Sequence, residues 1–478
     1  MILMQRLPPL IVLVSTVIIS ILLFAAIGSI PLSSLNEGRR ALVVQEMFQH
    51  HAWLLPSMNG ELYLTKPPLF YWTALAFSHL FGAVTEWSLR LPSALAAAAV
   101  LWLTYFTGRK YFSTYVAILA TVLLAANLEF ALMARRAEIE MLLTLFCMGA
   151  WVCFIQYIQT NSQRMLMLSY ALLALAVMTK GPVAMLFVTV PAIIYGVVSR
   201  DKSVLQFFTH LRAWLIFIIL AGTWYLLVSW QLGFDIWASV IQRDMLDKMQ
   251  SEASAKPFLS YLGWILVDFY FLITLMLWRG KNFIQQLKNN KPALLLIWGA
   301  LIPFIVFSFF ANKHTKYLLP IYPWIALLLA WHVSLIAQHG RQKFAQGMLT
   351  LVLVLATTVM LFYLVFEKHY FQYRFSAFKD FAQWHQQFDG IEMVSLKAVD
   401  SRLVFYTGKP IAVVQMSELI QRGQQKQSIL VVAEDSPINF DKSIVSCTMQ
   451  TFKPYIKKTK SLYVYGLGKV CERGDKEQ

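Results

Sequence analysis

The chain has 478 residues, of which 58% are hydrophobic, 14% aromatic and only 14% charged, and its formal net charge is +16. This composition is too apolar for a soluble domain and indicates a polytopic membrane protein. The positive charge does not indicate nucleic-acid binding, because the Lys and Arg residues lie mostly in short loops between apolar runs. There they set topology, contact lipid headgroups or hold phosphate.

Membrane spans are predicted from apolar runs of about 17–25 residues. The first run, residues 10–30, is not followed by a small-residue cleavage site, so we interpret it as a retained helix rather than a signal peptide. Residues 68–81 form a shorter run, which we place along the membrane interface. Other runs of span length, or nearly so, lie at residues 91–107, 115–133, 141–157, 166–178, 182–198, 211–230, 258–278, 293–310, 317–337 and 347–366. The sequence therefore predicts about 11–13 transmembrane helices.

The charged loops indicate which side of the membrane they face. With residues 68–81 at the interface, the basic loops at Arg109, Arg200, residues 279–291 and Arg341 all fall on the side of the N-terminus. The positive-inside tendency identifies that side as the cytoplasm. The opposite side also carries many cations, together with nearly all the loop acids. A bound anion would explain cations placed against the tendency, and salt-bridged, solvated helix caps are the alternative.

The chain changes character after residue 366. Phe378, Phe381, Trp384 and Phe388 recur at helical spacing and predict an amphipathic helix. Short strands separated by turns are then predicted for the segments "LVFYTG", "PIAVV", "SILVVAED" and "SLYVYGLG". These elements indicate a small α/β domain after the last span.

The predicted fold is thus an α-helical polytopic membrane protein with a small C-terminal α/β domain outside the cytoplasm. Residues 1–366 form the transmembrane domain and residues 367–478 the α/β domain. External juxtamembrane loops are expected at residues 31–90, 134–140 and 232–257.

The four cysteines fall into two pairs with different surroundings. Cys147 and Cys153 lie inside an apolar run, which is typical of packing residues. Cys447 and Cys471 lie in the polar C-terminal region and would pair in an oxidising compartment, which the sequence leaves open. No CxxC spacing indicates a metal site.

The loop motifs resemble a known family. They are, in chain order, "LNEGRRALVVQEM", "WLLPSMNGELYLTKPPLFYW", "EWSLRLPSAL", "ARRAEIEMLLTLF", "MTKGPVA" and "KYLLPIYPWIALLLA". Together they resemble the protein O-mannosyltransferase-like branch of the GT-C membrane glycosyltransferases, which includes the bacterial enzymes that transfer 4-amino-4-deoxyarabinose to lipid A. The likeness extends from about residue 30 to residue 335 and implies a GT-C type fold.

The resemblance implies transfer of a sugar from a polyprenyl-phosphate carrier, such as undecaprenyl phosphate, to an acceptor hydroxyl. The acceptor would be lipid A, another envelope glycan or a protein. The reaction would occur at the periplasmic face of a bacterial inner membrane, with the N-terminus cytoplasmic and the C-terminal domain periplasmic. Membrane lipids are expected partners and nucleic acid is not.

The chemistry of such a transfer needs two kinds of side chain. A phosphate leaves with negative charge, so Lys and Arg near the membrane surface would stabilise the transition state. The acceptor hydroxyl loses its proton as it attacks the anomeric carbon, so a carboxylate is needed as general base. Displacement in one step inverts the configuration of the sugar.

The resemblance places the acidic residues of the family on specific positions. The Asp-Glu pair of the first loop falls on Asn36 and Glu37, and the Arg that follows falls on Arg39. An amide cannot accept a proton at neutral pH, so either Glu37 or the second-loop acid takes over, or the usual activity is altered or lost. The second-loop acid falls on Glu140, with Glu138 two residues earlier. We predict Glu37 and Glu140 as the working pair.

The resemblance also implies residues for the carrier phosphate or its sugar: Asn36, Arg39, Lys66, Lys180, Arg243, and Lys313 or Lys316. In the aminoarabinose enzymes a Glu before the first-loop Lys helps to hold zinc, and here that position is Thr65. We therefore predict no zinc there and no other cofactor. His314, His50 and His51 do not form a ligand-spaced set with any acid that the sequence identifies.

A transporter or flippase for a lipid-linked sugar is the alternative function. It would need charged or unwound helices near the middle of the membrane. Few acids or bases fall there, and Asp268 is the main exception. A purely structural role leaves the one-sided group of acids and bases unexplained.

Overall fold

The computed structural model describes Val17, Ile21 and residues 23–242, 256–270, 272–338, 341–367, 376–396, 398–425, 428–434, 437–440, 445–452 and 461–471. The chain forms two compact units. The first comprises Met1–Ile27, Leu64–Ala74 and Arg90–Tyr363. The second comprises Gly28–Tyr63, Leu75–Leu89 and Leu364–Gln478.

The described chain is mostly helical. Its α-helices are α1 (Leu35–Gln49), α2 (Leu69–Phe81), α3 (Glu86–Tyr111), α4 (Thr114–Ala126), α5 (Leu128–Ala134), α6 (Ile139–Thr160), α7 (Gln163–Lys180), α8 (Met185–Ser199), α9 (Lys202–Thr209), α10 (Leu211–Leu232), α11 (Ser260–Asp268), α12 (Gly280–Lys288), α13 (Lys291–Ser308), α14 (Tyr322–Gln338), α15 (Gln342–Leu361), α16 (Ala377–His385), α17 (Ser401–Thr407) and α18 (Met416–Gln424). Shorter 3₁₀ segments lie at Pro182–Ala184, Leu272–Leu277, Thr315–Ile321 and Gln386–Phe388, and a π-helical turn lies at Phe362–Phe366.

Seven helical segments of the described chain are long and apolar enough to cross a membrane. They are Glu86–Tyr111, Ile139–Thr160, Pro182–Ser199, Leu211–Leu232, Lys291–Ser308, Thr315–Gln338 and Gln342–Phe366. The pair α4 and α5 raises this number to eight if it counts as one bent span. These helices confirm the polytopic helical class. Most of the predicted first helix lies outside the described residues, and the total of 11–13 spans stays a prediction.

Two predicted spans are interrupted. The run at residues 115–133 bends by 71° between α4 and α5, because Asn127 ends one helix and its Oδ1 accepts the Phe130 amide of the next at 2.9 Å. The run at residues 258–278 is a short helix that ends at Asp268, followed by a 3₁₀ segment. Asn127 Nδ2 donates to the Asp268 carbonyl at 2.9 Å, so the two breaks support each other. Both predicted runs are therefore interrupted along their length.

The helices α14 and α10 of the first unit differ in how far their side chains are buried. In α14 every residue from Tyr322 to Ala337 is buried, as expected for a helix that is apolar on all sides. In α10 most large side chains are exposed, including Leu211, Ile219 and Trp230. Exposed apolar side chains on a helix of span length suit contact with lipid.

The second unit is built on a five-stranded sheet of order β4-β3-β5-β7-β6. Its strands are β3 (Glu392–Leu396), β4 (Ala412–Val414), β5 (Ile429–Glu434), β6 (Ser446–Phe452) and β7 (Leu462–Leu467), and a small hairpin pairs β1 (Ser57–Met58) with β2 (Glu61–Leu62). Strand β3 runs parallel to β4 and β5, with Val394 opposite Ala412 and Val431. Strand β7 runs antiparallel to β5 and β6.

The sheet carries one apolar core on each face, since successive side chains of a strand point to opposite sides. Leu430 and Val432 join a core with Phe378 and Phe381, which confirms the predicted amphipathic helix. Val431 and Ala433 join the other core. A C-terminal α/β region is therefore present.

Its elements differ from the prediction at three places. The segment "LVFYTG" is not a strand but the end of α17, because Asp400 caps that helix by accepting the Arg402 amide and Gly408 ends it at φ +71°. The strands β3 and β6 were not predicted at all. Strand β6 lies at the sheet edge, and none of its seven residues is fully buried.

The second unit also includes part of the predicted first domain. Its C-terminal portion begins at Leu364, close to the predicted boundary at residue 366. Residues 28–63 and 75–89 belong to it as well, although the apolar pattern assigns them to external loops of the transmembrane domain. Leu42 of α1 packs into the core that contains Phe378 and Leu403.

Cys447 of β6 and Cys471 after β7 form a disulfide, with their Cα atoms 5.7 Å apart. The bridge closes a loop with a sequence separation of 24 residues. Replacing Cys447 with Ser should cost the C-terminal region about 3 kcal/mol of unfolding free energy, because the loop gains entropy in the unfolded chain.

Limited proteolysis over a temperature series would measure this effect, with Cys153→Ser as the matched cysteine control. Intact resistance of residues 376–471 in the Cys447→Ser protein would contradict the prediction.

Candidate active site

Two glutamates stand at the start of α6 in the first unit. Glu138 is the N-cap residue and Glu140 lies in the first turn. Both are buried, each with a relative exposure of 3%. Carboxylates at this end of a helix are favoured, since the aligned peptide dipoles leave partial positive charge there. The Ser93 hydroxyl donates to the Glu138 carbonyl at 3.1 Å and ties this turn to α3.

Two lysines meet these glutamates. Lys180 Nζ lies 3.2 Å from Glu140 Oε1, and Lys316 Nζ lies 3.1 Å from Glu138 Oε2 and 3.8 Å from Glu140 Oε1. Lys180 is the last residue of α7, which ends there because Gly181 adopts φ +83°. Lys316 comes from the 3₁₀ segment Thr315–Ile321. We call Glu138, Glu140, Lys180 and Lys316 the carboxylate–lysine cluster.

Tyr317 and His314 border the carboxylate–lysine cluster. The ammonium group of Lys180 lies 4.6 Å from the centroid of the Tyr317 ring, and the His314 ring lies 5.2 Å from it. Partial desolvation, followed by the ammonium groups of Lys316 and Lys256, lowers the pKa of His314 below its usual value. The lowered pKa favours the neutral imidazole of His314 near pH 7.

Lys313 does not join the cluster, although it was predicted together with Lys316. Its buried ammonium group donates to the carbonyls of Phe310 at 2.6 Å and Lys256 at 3.0 Å. Lys256 in turn donates to the Lys313 carbonyl at 2.9 Å and lies over the Trp264 ring. This reciprocal pairing fastens residue 256 to the segment before Thr315–Ile321. Lys313 thus has a structural role. Of these two lysines, Lys316 remains the candidate for binding the carrier phosphate.

The first-loop residues lie in the second unit. Asn36, Glu37 and Arg39 occupy the first turns of α1, where Asn36 is half-buried, Glu37 buried and Arg39 exposed. Glu37 Oε2 accepts hydrogen bonds from the Ser33 amide at 2.8 Å and its hydroxyl at 3.1 Å, while the Ser34 hydroxyl accepts the Glu37 amide at 3.0 Å. Glu37 therefore helps to cap its own helix, a role similar to the capping box.

The remaining predicted residues are placed separately. Lys66 is half-buried in the first unit, and its ammonium group donates to the Thr65 carbonyl at 3.1 Å. Arg243 lies outside the described residues. Asp268 accepts a hydrogen bond from the Tyr322 hydroxyl. The structure thus brings together Glu138, Glu140, Lys180 and Lys316 out of the predicted set.

The cluster offers the two functions that the chemistry requires. Ammonium groups can neutralise a phosphate, and a carboxylate can accept a proton. Two carboxylates alone make a poor metal site, and no group of three or more His, Cys, Asp or Glu suited to a metal occurs within the described ranges. The sequence analysis did not assign Tyr317 to the site, although it lies within the motif "KYLLPIYPWIALLLA". It also did not predict the pairing of Lys256 with Lys313.

Comparisons with known proteins identify a matching family model, similar sequences and similar folds. Residues 65–226 match the family model described as dolichyl-phosphate-mannose-protein mannosyltransferase. The undecaprenyl phosphate-alpha-4-amino-4-deoxy-L-arabinose arabinosyl transferase of Pectobacterium atrosepticum is 27% identical over 348 residues, which are 69% of this chain. The matched region spans 60% of that relative's length.

Two solved structures resemble the fold. The crystal structure of ArnT from Cupriavidus metallidurans bound to undecaprenyl phosphate has a TM-score of 0.76 at 16% identity, covering 95% of this chain and 97% of that one. The archaeal oligosaccharyltransferase AglB from Archaeoglobus fulgidus, in complex with an inhibitory peptide and a dolichol-phosphate, has a TM-score of 0.58 at 11% identity. It covers 89% of this chain and 69% of that one.

Replacing Lys313 with Met should destabilise the protein by about 2–4 kcal/mol, because two buried carbonyls lose a charged donor. The apparent midpoint of thermal unfolding in detergent would report this loss. Lys291→Met is the matched control, since Lys291 pairs with Asp201 on the surface and exposed pairs contribute little. Equal midpoints for the two variants would show that the hydrogen bonds of Lys313 to the two carbonyls do not stabilise the fold.

Proposed function

Since the chain belongs to the protein O-mannosyltransferase and lipid A aminoarabinose transferase type of GT-C membrane glycosyltransferase, we propose that it transfers a sugar from a polyprenyl-phosphate carrier to an acceptor hydroxyl. The carboxylate–lysine cluster is the observation that carries this proposal. The name of the Pectobacterium relative supports undecaprenyl phosphate as the carrier. Lipid A, another envelope glycan or a protein is the acceptor.

The donor phosphate binds at Lys180 and Lys316. Both ammonium groups lie within 4 Å of Glu140 Oε1, so this oxygen marks a point that both lysines reach, while Lys316 also pairs with Glu138 Oε2 at 3.1 Å. A phosphate at that point competes with Glu140 for both lysines and gains two charge-assisted bonds. As the bond between the sugar and the phosphate breaks, these lysines stabilise the charge that develops on the leaving phosphate. Lys66, Arg39, Asn36 and Arg243 are further proposed donor contacts.

Glu140 is the proposed general base. When the donor phosphate draws Lys180 and Lys316 away, the Glu140 carboxylate loses the attraction of these two cations. A nearby cation favours the charged form of a carboxylate, so weaker pairing raises its affinity for protons. Glu140 thus becomes a stronger base at the place where the phosphate binds. Glu37 and Glu138 are the alternative bases, but Glu37 already accepts two hydrogen bonds from Ser33, and these stabilise its charged form.

The reaction proceeds by one displacement with inversion of the anomeric carbon. The acceptor oxygen forms its bond to that carbon as the carbon–oxygen bond to the phosphate breaks. The proton of the acceptor passes to Glu140, and the carrier phosphate leaves as an anion that needs no proton. Binding of the donor in this orientation contributes to the rate by fixing the reacting atoms together.

We place the protein in a bacterial inner membrane with the N-terminus cytoplasmic. Residues 1–366 form the catalytic membrane domain, and residues 367–478 lie in the periplasm. The disulfide between Cys447 and Cys471 supports this side, because disulfides persist in oxidising compartments.

Glu140→Gln should lower sugar transfer by roughly 10²–10⁴-fold, the usual contribution of a general base. Transfer of radiolabelled sugar from a polyprenyl-phosphate donor in purified membranes measures the effect for Glu140→Gln, Glu138→Gln and Glu37→Gln. Asp201→Asn is the matched control, since it removes a carboxylate from an ion pair outside the cluster. Full activity in Glu140→Gln would assign the base elsewhere.

The double variant Glu140→Gln, Lys180→Gln separates catalysis from structure. If the ion pair only stabilises the fold, removing both charges together should restore activity, because no buried charge is left alone. The proposal expects the double variant to stay inactive. If the unaltered protein transfers no sugar while lipid-linked sugar crosses reconstituted vesicles, the transporter alternative replaces this function.

Lys180→Gln and Lys316→Gln should each weaken binding of undecaprenyl phosphate, by about tenfold or more per lost charged contact. Tryptophan fluorescence titration in detergent micelles measures this, and raising the salt concentration should weaken the unaltered protein's binding in the same direction. Lys291→Gln serves as the control lysine. Unchanged affinity in both cluster variants would remove these lysines from the phosphate site.

A further inference from the structure

The helix that carries the first-loop motif is part of the fold of the second unit. Leu42 of α1 lies in the apolar core formed by α16, α17 and the sheet, together with Phe378, Phe381, Leu403 and Val404. The middle of α1, and not only its ends, is therefore packed against that core. The position of Asn36, Glu37 and Arg39 therefore depends on the C-terminal region of the chain.

The closest approach lies between Gly38 and Arg402. A Cβ atom on Gly38 would meet Arg402 Cγ at 2.5 Å and the Arg402 amide nitrogen at 3.2 Å. Distances below 3.0 Å do not occur between such atoms without movement, so only glycine allows α1 and α17 to pack this closely. Gly38 stands between Glu37 and Arg39 in the motif "NEGRR".

Arg402 cannot yield easily to a larger neighbour. It is fully buried, and its Nε and Nη2 donate to the two carboxylate oxygens of Asp400 at 2.9 and 2.5 Å. Its guanidinium group also lies 4.7 Å from the centroid of the Phe378 ring. The Asp400 amide donates to Glu434 Oε1 at 2.7 Å, which joins this pair to the end of β5. The forked ion pair and these contacts hold the Arg402 side chain in one position.

Two further contacts hold the same segment at its ends. The Leu32 amide donates to the Tyr406 hydroxyl at 2.8 Å, and that hydroxyl donates to Glu86 Oε1 at 3.0 Å. The Asn59 side chain donates to the Ile411 carbonyl and accepts the Ile411 amide, both at 3.0 Å. The segment from residue 32 to residue 59 is thus fastened before, within and after α1.

We propose that Arg402 is a positioning residue for the first-loop motif and that the C-terminal region holds α1 through the contact between Gly38 and Arg402. This inference rests on the proposed function, in which Asn36 and Arg39 contact the donor and Glu37 is an alternative base. The C-terminal region then serves the reaction by holding the helix that carries these residues, rather than as a separate acceptor-binding module. Arg402 itself touches no substrate.

The test uses the full-length protein and the substitution Gly38→Ala. The added methyl group should push α1 away from Arg402, and a misplacement of about 1 Å lowers turnover on the order of 10²-fold. Affinity for undecaprenyl phosphate, measured by the same fluorescence titration, should fall only in part, because the contacts proposed for Lys180 and Lys316 remain while those proposed for Asn36 and Arg39 are displaced. Gly347→Ala is the matched control, because Gly347 lies in helix α15 and has open space around it.

Hydrogen exchange measured by mass spectrometry provides a readout that does not need activity. Gly38→Ala should speed amide exchange in residues 35–49 relative to Gly347→Ala, with little change in β5 and β7. The double variant Gly38→Ala, Arg402→Ala removes the atom that clashes and should recover slow exchange in part. Arg402→Lys keeps the charge and the stem, and it should retain slower exchange in residues 35–49 than Arg402→Ala.

The outcomes distinguish this inference from the proposed function. Faster exchange confined to residues 35–49 supports the positioning role of Arg402. If the unaltered protein transfers no sugar, that result contradicts only the proposed function. Exchange in residues 35–49 equal to that of the control overturns the inference. An equal rise in β5 and β7 also overturns it, because Gly38 would then act only on the stability of the whole domain.

Discussion

The pairing of Glu138 and Glu140 with Lys180 and Lys316 is the interaction on which the candidate site depends. All four groups have little contact with solvent, and an isolated charge in such surroundings costs several kcal/mol. Each carboxylate therefore needs a cation, and each lysine needs an anion. A ligand that brings its own phosphate can replace the carboxylates as the partner of the lysines. In the proposed function, this mutual neutralisation stabilises the four charged groups until a phosphate binds the lysines.

Helix ends supply the residues of this cluster. Glu138 and Glu140 begin α6, Lys180 ends α7, and Lys316 lies in the 3₁₀ segment before α14. The two α-helix ends have the charges that the helix dipole favours, since the acids lie at the N-terminus of α6 and Lys180 lies at the C-terminus of α7. Gly181 interrupts the apolar helices by its positive φ, and Asn127 does so by its side-chain cap. The breaks put backbone polar groups where side chains can satisfy them.

The second unit shows a different principle, in which remote parts of the chain share one core. Leu42 packs with Phe378 and Leu403, more than three hundred residues away. Gly38 and Arg402 meet at a distance that allows no side chain on the glycine. The motif that best carries the family resemblance is therefore shaped by the end of the chain, and its charged residues serve partly to build the helix, as the capping role of Glu37 shows.

The sequence by itself determined the membrane class, most of the long helices, the amphipathic α16 and the acids and lysines of the candidate site. These follow from local properties: apolar length, helical spacing and short motifs. It did not determine that "LVFYTG" is helical, because the Asp400 cap and the Gly408 end outweigh the strand preference of its apolar residues. Nor could it separate Lys313 from Lys316. Only the tertiary structure decided that Lys313 binds backbone carbonyls while Lys316 contacts two glutamates. Most of these partners are distant in sequence, and a local sequence pattern does not show which distant residues come close together in the fold.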